Sequence, residues 1–170
     1  MSEGEAGLRR TLTTIADALP DPTQGLSDPV FDFALKITPM INVDLLVLDA
    51  ASHVLLAWRE DPYGQGWHVP GGIIRFNEPM HRRIAETARL ELGACVEAEA
   101  QPMRVHQFFA PPRGHFISLI FRCRLTEPLP GQLWGSGAPT PGQLAWFAGA
   151  PQNLYPTHRA YAEMLDNLRD

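Results

Sequence analysis

Apolar residues fall into short periodic runs along the chain, and their spacing predicts most of the elements. Leu8, Leu12, Ile15 and Leu19 recur every three to four residues, as on one face of an amphipathic helix. Pro20-Asp21-Pro22 ends that run and opens a linker reaching Asp28-Pro29. Phe31, Phe33, Leu35 and Ile37 alternate with Asp32, Ala34, Lys36 and Thr38, which predicts a half-buried strand. Residues 41–48 are more uniformly apolar, with Asp44 inside them, and the chain turns over Asp49 to His53 into residues 54–59, so the two runs predict a hairpin.

The middle of the chain carries the strongest pattern. Trp67-His68-Val69 leads into Pro70-Gly71-Gly72 and the apolar pair Ile73-Ile74, and a periodic segment of about four helical turns follows. Met80, Ile84, Ala88 and Leu92 form its apolar stripe, with Asn77 as the expected N-cap, Pro79 in the first turn and Gly93 at the stop. Residues 95–98, 103–109 and 116–125 read as strands, the last reached through the Pro-rich turn at 110–114. A Gly- and Pro-rich loop over 127–142 precedes a short strand at 144–147. Tyr161, Met164, Leu165 and Leu168 then place a closing helix, with Thr157 as its expected N-cap. This order predicts an α/β fold, a mixed β-sheet sandwiched between α-helices.

Composition narrows the function classes. At 170 residues the chain is long enough for one domain, expected at 30–170 behind a helical arm at 1–29. With 45% hydrophobic residues, 19% charged and a net charge of −5 it reads as an ordinary globular protein and not a binder of bulk nucleic acid. Attraction for phosphate must therefore be local, carried by particular arginines and backbone N–H groups. Cys95 and Cys123 lack metal-site spacing and are expected as buried free thiols in a reducing cytoplasm. No apolar run of about 18 residues occurs and the start, MSEGEAGLRR, lacks the apolar core of a signal peptide, so a cytoplasmic location is expected.

Glu91 lies off the apolar stripe of the central helix, near the edge that faces the Gly71-Gly72 loop. A carboxylate beside loop carbonyls is an oxygen-ligand pair suited to Mg²⁺. Val69-Pro70-Gly71-Gly72, five residues, Glu78, and Glu91-Leu92-Gly93 together resemble the Nudix box, G-x5-E-x7-R-E-U-x-E-E-x-G-U with U apolar. In that family the loop and helix bind a divalent metal on the diphosphate of a nucleoside diphosphate linked to another moiety. The frame is kept and the interior is altered. The box Arg is Glu86 here, the next Glu is Thr87, the first of the paired glutamates is Leu90 and the closing apolar residue is Ala94. Positions 87, 90 and 91 share one helix face, so Glu91 alone represents the usual metal-facing acids, and Glu86, about 140° around the axis from Glu91, cannot replace them.

The chain is similar in style to the GDP-mannose mannosyl hydrolase branch, over residues 38–162. That resemblance implies that the Gly71 carbonyl and Glu91 hold Mg²⁺, that Arg59 holds the diphosphate or leaving group, and that Asp44 contacts sugar or base. His115-Phe116 and Arg159-Ala160-Tyr161 fall at matching places, Phe116 keeping the ring of the branch's tyrosine without its hydroxyl. The branch uses a histidine in the loop before the last strand as general base, but residues 131–144 contain no His, Asp or Glu. The branch's ligating glutamine falls near Thr140, three residues from Gln143, and its arginine after the two glycines is Ile73. His68, His106, His115 and His158 are the substitutes by composition, His115 first. Trp58, Trp67 and Trp146 offer stacking faces or core packing.

The resemblance implies a Mg²⁺-dependent hydrolase of a nucleoside diphosphate sugar, releasing sugar and nucleoside diphosphate, and a homodimer formed through residues 31–37 or the arm. The competing expectation is a Nudix-fold protein that binds a nucleotide sugar without efficient hydrolysis. Cleavage between the phosphates is a third, opposed by the losses at Thr87 and Leu90.

Overall fold

Eight strands form two sheets in a computed structural model that describes residues 2–110, 113–131 and 133–168. The first sheet contains β1 (Met40–Val47), β4 (Gly71–Ile73), β5 (Val96–Ala98), β6 (Arg104–Ala110) and β7 (Gly114–Leu125), ordered β4-β1-β7-β5 with β6 also paired to β7. The second is β3-β2-β8, from β2 (Val54–Asp61), β3 (Gly64–His68) and β8 (Leu144–Phe147). Helices α1 (Glu3–Ala18) and α2 (Asp28–Ile37) precede the sheets. Helix α3 (Met80–Leu92) follows β4, and a 3₁₀ turn at Pro156–Tyr161 leads into α4 (Ala162–Asp166).

The uniform apolarity of β1 follows from its position, because both of its faces are covered. Val43, Leu45 and Val47 point toward Ile84, Ala88 and Leu92 of α3, while Leu46 joins Trp58, Trp67, Ile120, Tyr161 and Leu165 in a second cluster. Asp44 shares the strand face of Leu46. Trp58 and Trp67 meet edge to face at 5.3 Å inside that cluster and Trp146 packs against the other, so all three serve the core.

β1 and β2 do not form the expected hairpin. The turn between them is built as expected, with the Asp49 carboxylate accepting from the N–H groups of Ala51 and His53 at 2.8 Å each. Beyond a bridge from Leu48 to Val54 the strands separate: β1 runs antiparallel to β4 and parallel to β7, and β2 lies between β3 and β8. Each is a central strand in its own sheet, and neither has an edge left for the other.

The run from Phe31 to Ile37 is helical. Ser27 is the N-cap of α2 and Pro29 falls in its first turn. Half-burial recurs at Val30, Phe31, Ala34 and Leu35, a helical period, and leaves Phe33 and Ile37 outside at 50% and 65% exposure. Leu35 packs over Gly114. The two-residue alternation therefore records a helix exposed on one side.

Helix α3 starts later than expected. Asn77 is left-handed (φ 56°) and Pro79 is the N-cap, whereas Gly93 ends the helix as expected, left-handed at φ 64°. Thr157 lies within the 3₁₀ turn and caps no helix. Cys123 is buried as expected but Cys95 is exposed. Pro111 and Pro112 of the expected turn lie outside the described residues. Among the described residues no helix is long and apolar enough to cross a membrane.

Candidate functional site

The antiparallel register of β1 and β4 sets Asp44 opposite Gly71. Beside that pair lies a cavity of about 280 Å³, walled by β1, β7, the end of β3 and the 3₁₀ turn. Asp44, Arg59, Gly71 and Phe116, four of the residues singled out in the sequence, line it together. Asp44 is 3% exposed, and its Oδ2 accepts a hydrogen bond of 2.5 Å from Tyr161 Oη. Its Oδ1 abuts Gly71 so closely that a Cβ there would collide. Burial pushes the Asp44 carboxyl up to about 6, against the opposing hydrogen bond from Tyr161. Asn42 and Ser118, neighbours across the β1–β7 pairing, add two buried oxygens without a protein partner, Asn42 Oδ1 and Ser118 Oγ.

Glu91 stands behind this cavity on α3 and is bound to His68. The His68 ring is buried, with Nδ1 2.8 Å from the Ala57 carbonyl and Nε2 3.1 Å from Glu91 Oε2. Both ring nitrogens therefore face protein oxygens, which fixes the orientation of the ring. Arg59 lies 4.0 Å from Glu91 and 3.9 Å from Asp61. Partial burial opposes the charged form of Glu91, but the hydrogen bond and charge of His68, with Arg59, outweigh it and hold the carboxyl below its usual range.

The histidines separate clearly. His68 and His158 line the cavity; His158 Nδ1 accepts from the Val69 N–H at 3.0 Å. Desolvation, with the nearby charges of His68 and Arg59, holds His158 well below the usual imidazolium range, which leaves a neutral ring with its proton on Nε2. His106 packs against Phe108 and Tyr161. His115 is not brought to the cavity. By strand alternation it lies on the face of β7 opposite Phe116, where it accepts from the Gln107 side-chain amide at 2.8 Å and stacks on Phe109 at 4.7 Å.

Two further features escaped the sequence pattern. Arg113 lines the cavity, donates to Tyr155 Oη at 3.1 Å, and lies 5.4 to 5.9 Å from the ring centres of Tyr155, Tyr63 and Phe116. Its position after two prolines gave no periodic signal. Arg83 is buried and forks onto Glu78 with two hydrogen bonds of 2.8 Å. It supplies the guanidinium that the Nudix frame would place at residue 86, where Glu86 instead pairs with Arg89 at 2.7 Å. The spacing from Glu78 to Arg83 was the available signal.

Oxygen donors gather where α3 meets the glycine loop. Glu91 and Thr87 lie four residues apart on one helix face, and Thr87 Oγ1 is buried without a partner, 2.6 Å from where a Cβ on Gly72 would sit. These two side chains offer one carboxylate and one hydroxyl, while Leu90 is 59% exposed. Among the described residues no three His, Cys, Asp or Glu side chains cluster for a metal. The set fits a Mg²⁺ that arrives with phosphate oxygens and does not build a metal cage alone.

No protein-family model matches the chain. The low-salt glycan biosynthesis protein Agl8 of Haloferax volcanii is 30% identical over 113 residues, 62% of this chain and 72% of that protein. Among solved structures, a MutT Nudix hydrolase from Burkholderia pseudomallei superposes with a TM-score of 0.56 at 22% identity, covering 74% of this chain and 97% of that one. A MutT protein from Methanosarcina mazei gives 0.58 at 17% identity, covering 76% and 95%. A UDP-X diphosphatase gives 0.58 at 18% identity, covering 98% and 79%. The two-sheet α/β fold with the glycine loop and α3 is the Nudix fold, and the chain belongs to the same family as Agl8.

Proposed function

We propose that the protein acts on a nucleoside diphosphate sugar, GDP-mannose-like in class, and hydrolyses it to the free sugar and the nucleoside diphosphate. The observation that carries this reading is the single cavity shared by Arg59, Gly71, Asp44 and the unpartnered oxygens of Asn42 and Ser118. The guanidinium suits a diphosphate, and the polar floor suits sugar hydroxyls. The glycan role in the name of Agl8 agrees with a sugar-bearing ligand.

In this reading Arg59 holds the diphosphate, Asp44 accepts from a sugar hydroxyl, Phe116 packs against the sugar ring, and Glu91 with the Gly71 carbonyl holds Mg²⁺. When bound, that ion supplies charge neutralisation to the leaving diphosphate. The bond that breaks joins the anomeric carbon to the phosphate oxygen, and water takes that oxygen's place.

A second reading rests on the cavity histidines. Both His68 nitrogens face protein oxygens, and His158 accepts at Nδ1 and carries its proton at Nε2, so neither ring presents a free lone pair to water. A missing general base costs about a hundredfold to ten-thousandfold in rate. A protein that binds the nucleotide sugar and turns it over very slowly fits that arrangement.

The test is incubation with a panel of nucleotide sugars and Mg²⁺, followed by product identification. Nucleoside diphosphate plus free sugar supports attack at carbon, and nucleoside monophosphate plus sugar phosphate replaces it with attack at phosphorus. A rise in Tm with no product supports the binding reading. Neither product nor a Tm shift with any member of the panel would overturn both.

A further inference from the structure

A second cavity, of about 680 Å³, opens outward from the first, and the two share Phe108, Ala110, Arg113 and Thr157. Their chemistry differs. The inner cavity contains Asp44, Asn42 and Ser118, whereas no carboxylate lines the outer one among the described residues, and Arg113 is its one arginine or lysine. Its walls are the rings of Tyr63, Phe108 and Tyr155, with the apolar edges of Pro62 and Pro156. Tyr63 is 51% exposed, an aromatic face turned to solvent at the groove's edge.

Arg113 is held at the junction by its neighbours. The carboxylate closest to this network, Asp61, already accepts from Tyr155 Oη at 2.7 Å and from the Tyr63 N–H at 2.9 Å, and Tyr155 Oη in turn accepts from Arg113. That hydrogen bond uses one of the five guanidinium donors and leaves the rest for a ligand. An anionic group spanning the two cavities would pass Arg113 on one side and Arg59 on the other.

We propose that the outer groove is a nucleobase subsite, with Arg113 clamping the diphosphate where the cavities meet. The ligand then lies with its planar base between Tyr63 and Phe108, its diphosphate between Arg113 and Arg59, and its sugar on the polar floor. A planar, weakly hydrated ring suits an aromatic groove without carboxylates, and hydroxyls suit the unpartnered oxygens of the inner floor. This orientation rests on the nucleotide-sugar reading above and adds to it the site of the base and the role of Arg113.

Calorimetric titration of the full chain with GDP-mannose, UDP-glucose, mannose 1-phosphate and inorganic pyrophosphate tests it. Tyr63→Ala, at a half-exposed position, should weaken both nucleotide sugars by on the order of tenfold and leave mannose 1-phosphate and pyrophosphate unchanged. Phe108→Leu should do the same while keeping an apolar wall. Arg113→Gln should weaken the nucleotide sugars and pyrophosphate alike. Unchanged Tm values in the absence of ligand establish that each variant is folded, and a variant that loses stability is replaced by Tyr63→Leu or Arg113→Lys. If the nucleotide sugars bind the parent and the Tyr63 and Phe108 variants equally well, the base lies elsewhere and this orientation is overturned while the nucleotide-sugar reading stands. If the parent binds neither nucleotide sugar, both fall together.

Discussion

His68 Nε2 lies 3.1 Å from Glu91 Oε2, so the carboxylate proposed to hold Mg²⁺ is already engaged by a buried imidazole. The Ala57 carbonyl holds the other side of the ring, which fixes its orientation. An ion approaching Glu91 meets a carboxylate whose charge is partly balanced, with Arg59 also nearby. Metal affinity in this protein should depend on what the ligand brings.

Mg²⁺ alone, at about 1 mM, should therefore move the Tm by less than about 1 °C, and the shift should grow only when a nucleotide sugar is present. Glu91→Gln should abolish the Mg²⁺-dependent part of both binding and turnover. Turnover at the parental rate in that variant would remove Glu91 from the metal site.

The Arg83–Glu78 fork should be worth more to stability than its surface counterpart at Arg89–Glu86. Arg83→Met leaves a largely enclosed carboxylate without its guanidinium and should cost about 3 kcal/mol in urea unfolding. Adding Glu78→Gln should recover part of that loss, because the stranded charge is removed. Additive losses would mean that the two side chains act separately.

Asp44 gives stability a pH dependence of known sign. Its folded value of about 6 lies above the ordinary 3.8, so over that window the unfolded chain has released a proton that the folded chain still holds. The contribution of Asp44 to stability therefore falls as pH rises from about 4 to about 6, and the full penalty persists above. Asp44→Asn should match the parent near pH 4 and exceed it by up to roughly 3 kcal/mol at pH 7.5, while losing ligand affinity. A stability difference that does not change with pH would show that Asp44 is ionised in the fold throughout.

The sequence made the loop, the central helix and the Asp44 strand legible because each carries a local signature: turn glycines, a helical stripe, an apolar run. The family resemblance also singled out Asp44, Arg59, Gly71 and Phe116, and all four line one cavity. The sequence pattern misread Phe31–Ile37 because four apolar residues at odd positions suit a strand as well as a helix exposed on one side. It missed Arg113 and Arg83 because a charged residue shows its worth only through its partners, here Tyr155 and Glu78. His115 looked promising as a neighbour of Phe116, yet adjacent strand residues face opposite ways, so that nearness in sequence directed it away from the cavity.

The parallel pairing of β1 with β7 has a kinetic consequence. It sets Asn42 beside Ser118 and Met40 beside Phe116, so the floor of the cavity is sewn from segments far apart in the chain. Such contacts form only after a long loop has closed, and they are among the slowest to assemble. The cavity floor should therefore be absent from early folding intermediates, appearing with the last cooperative step, and a ligand seated there would slow unfolding without speeding refolding.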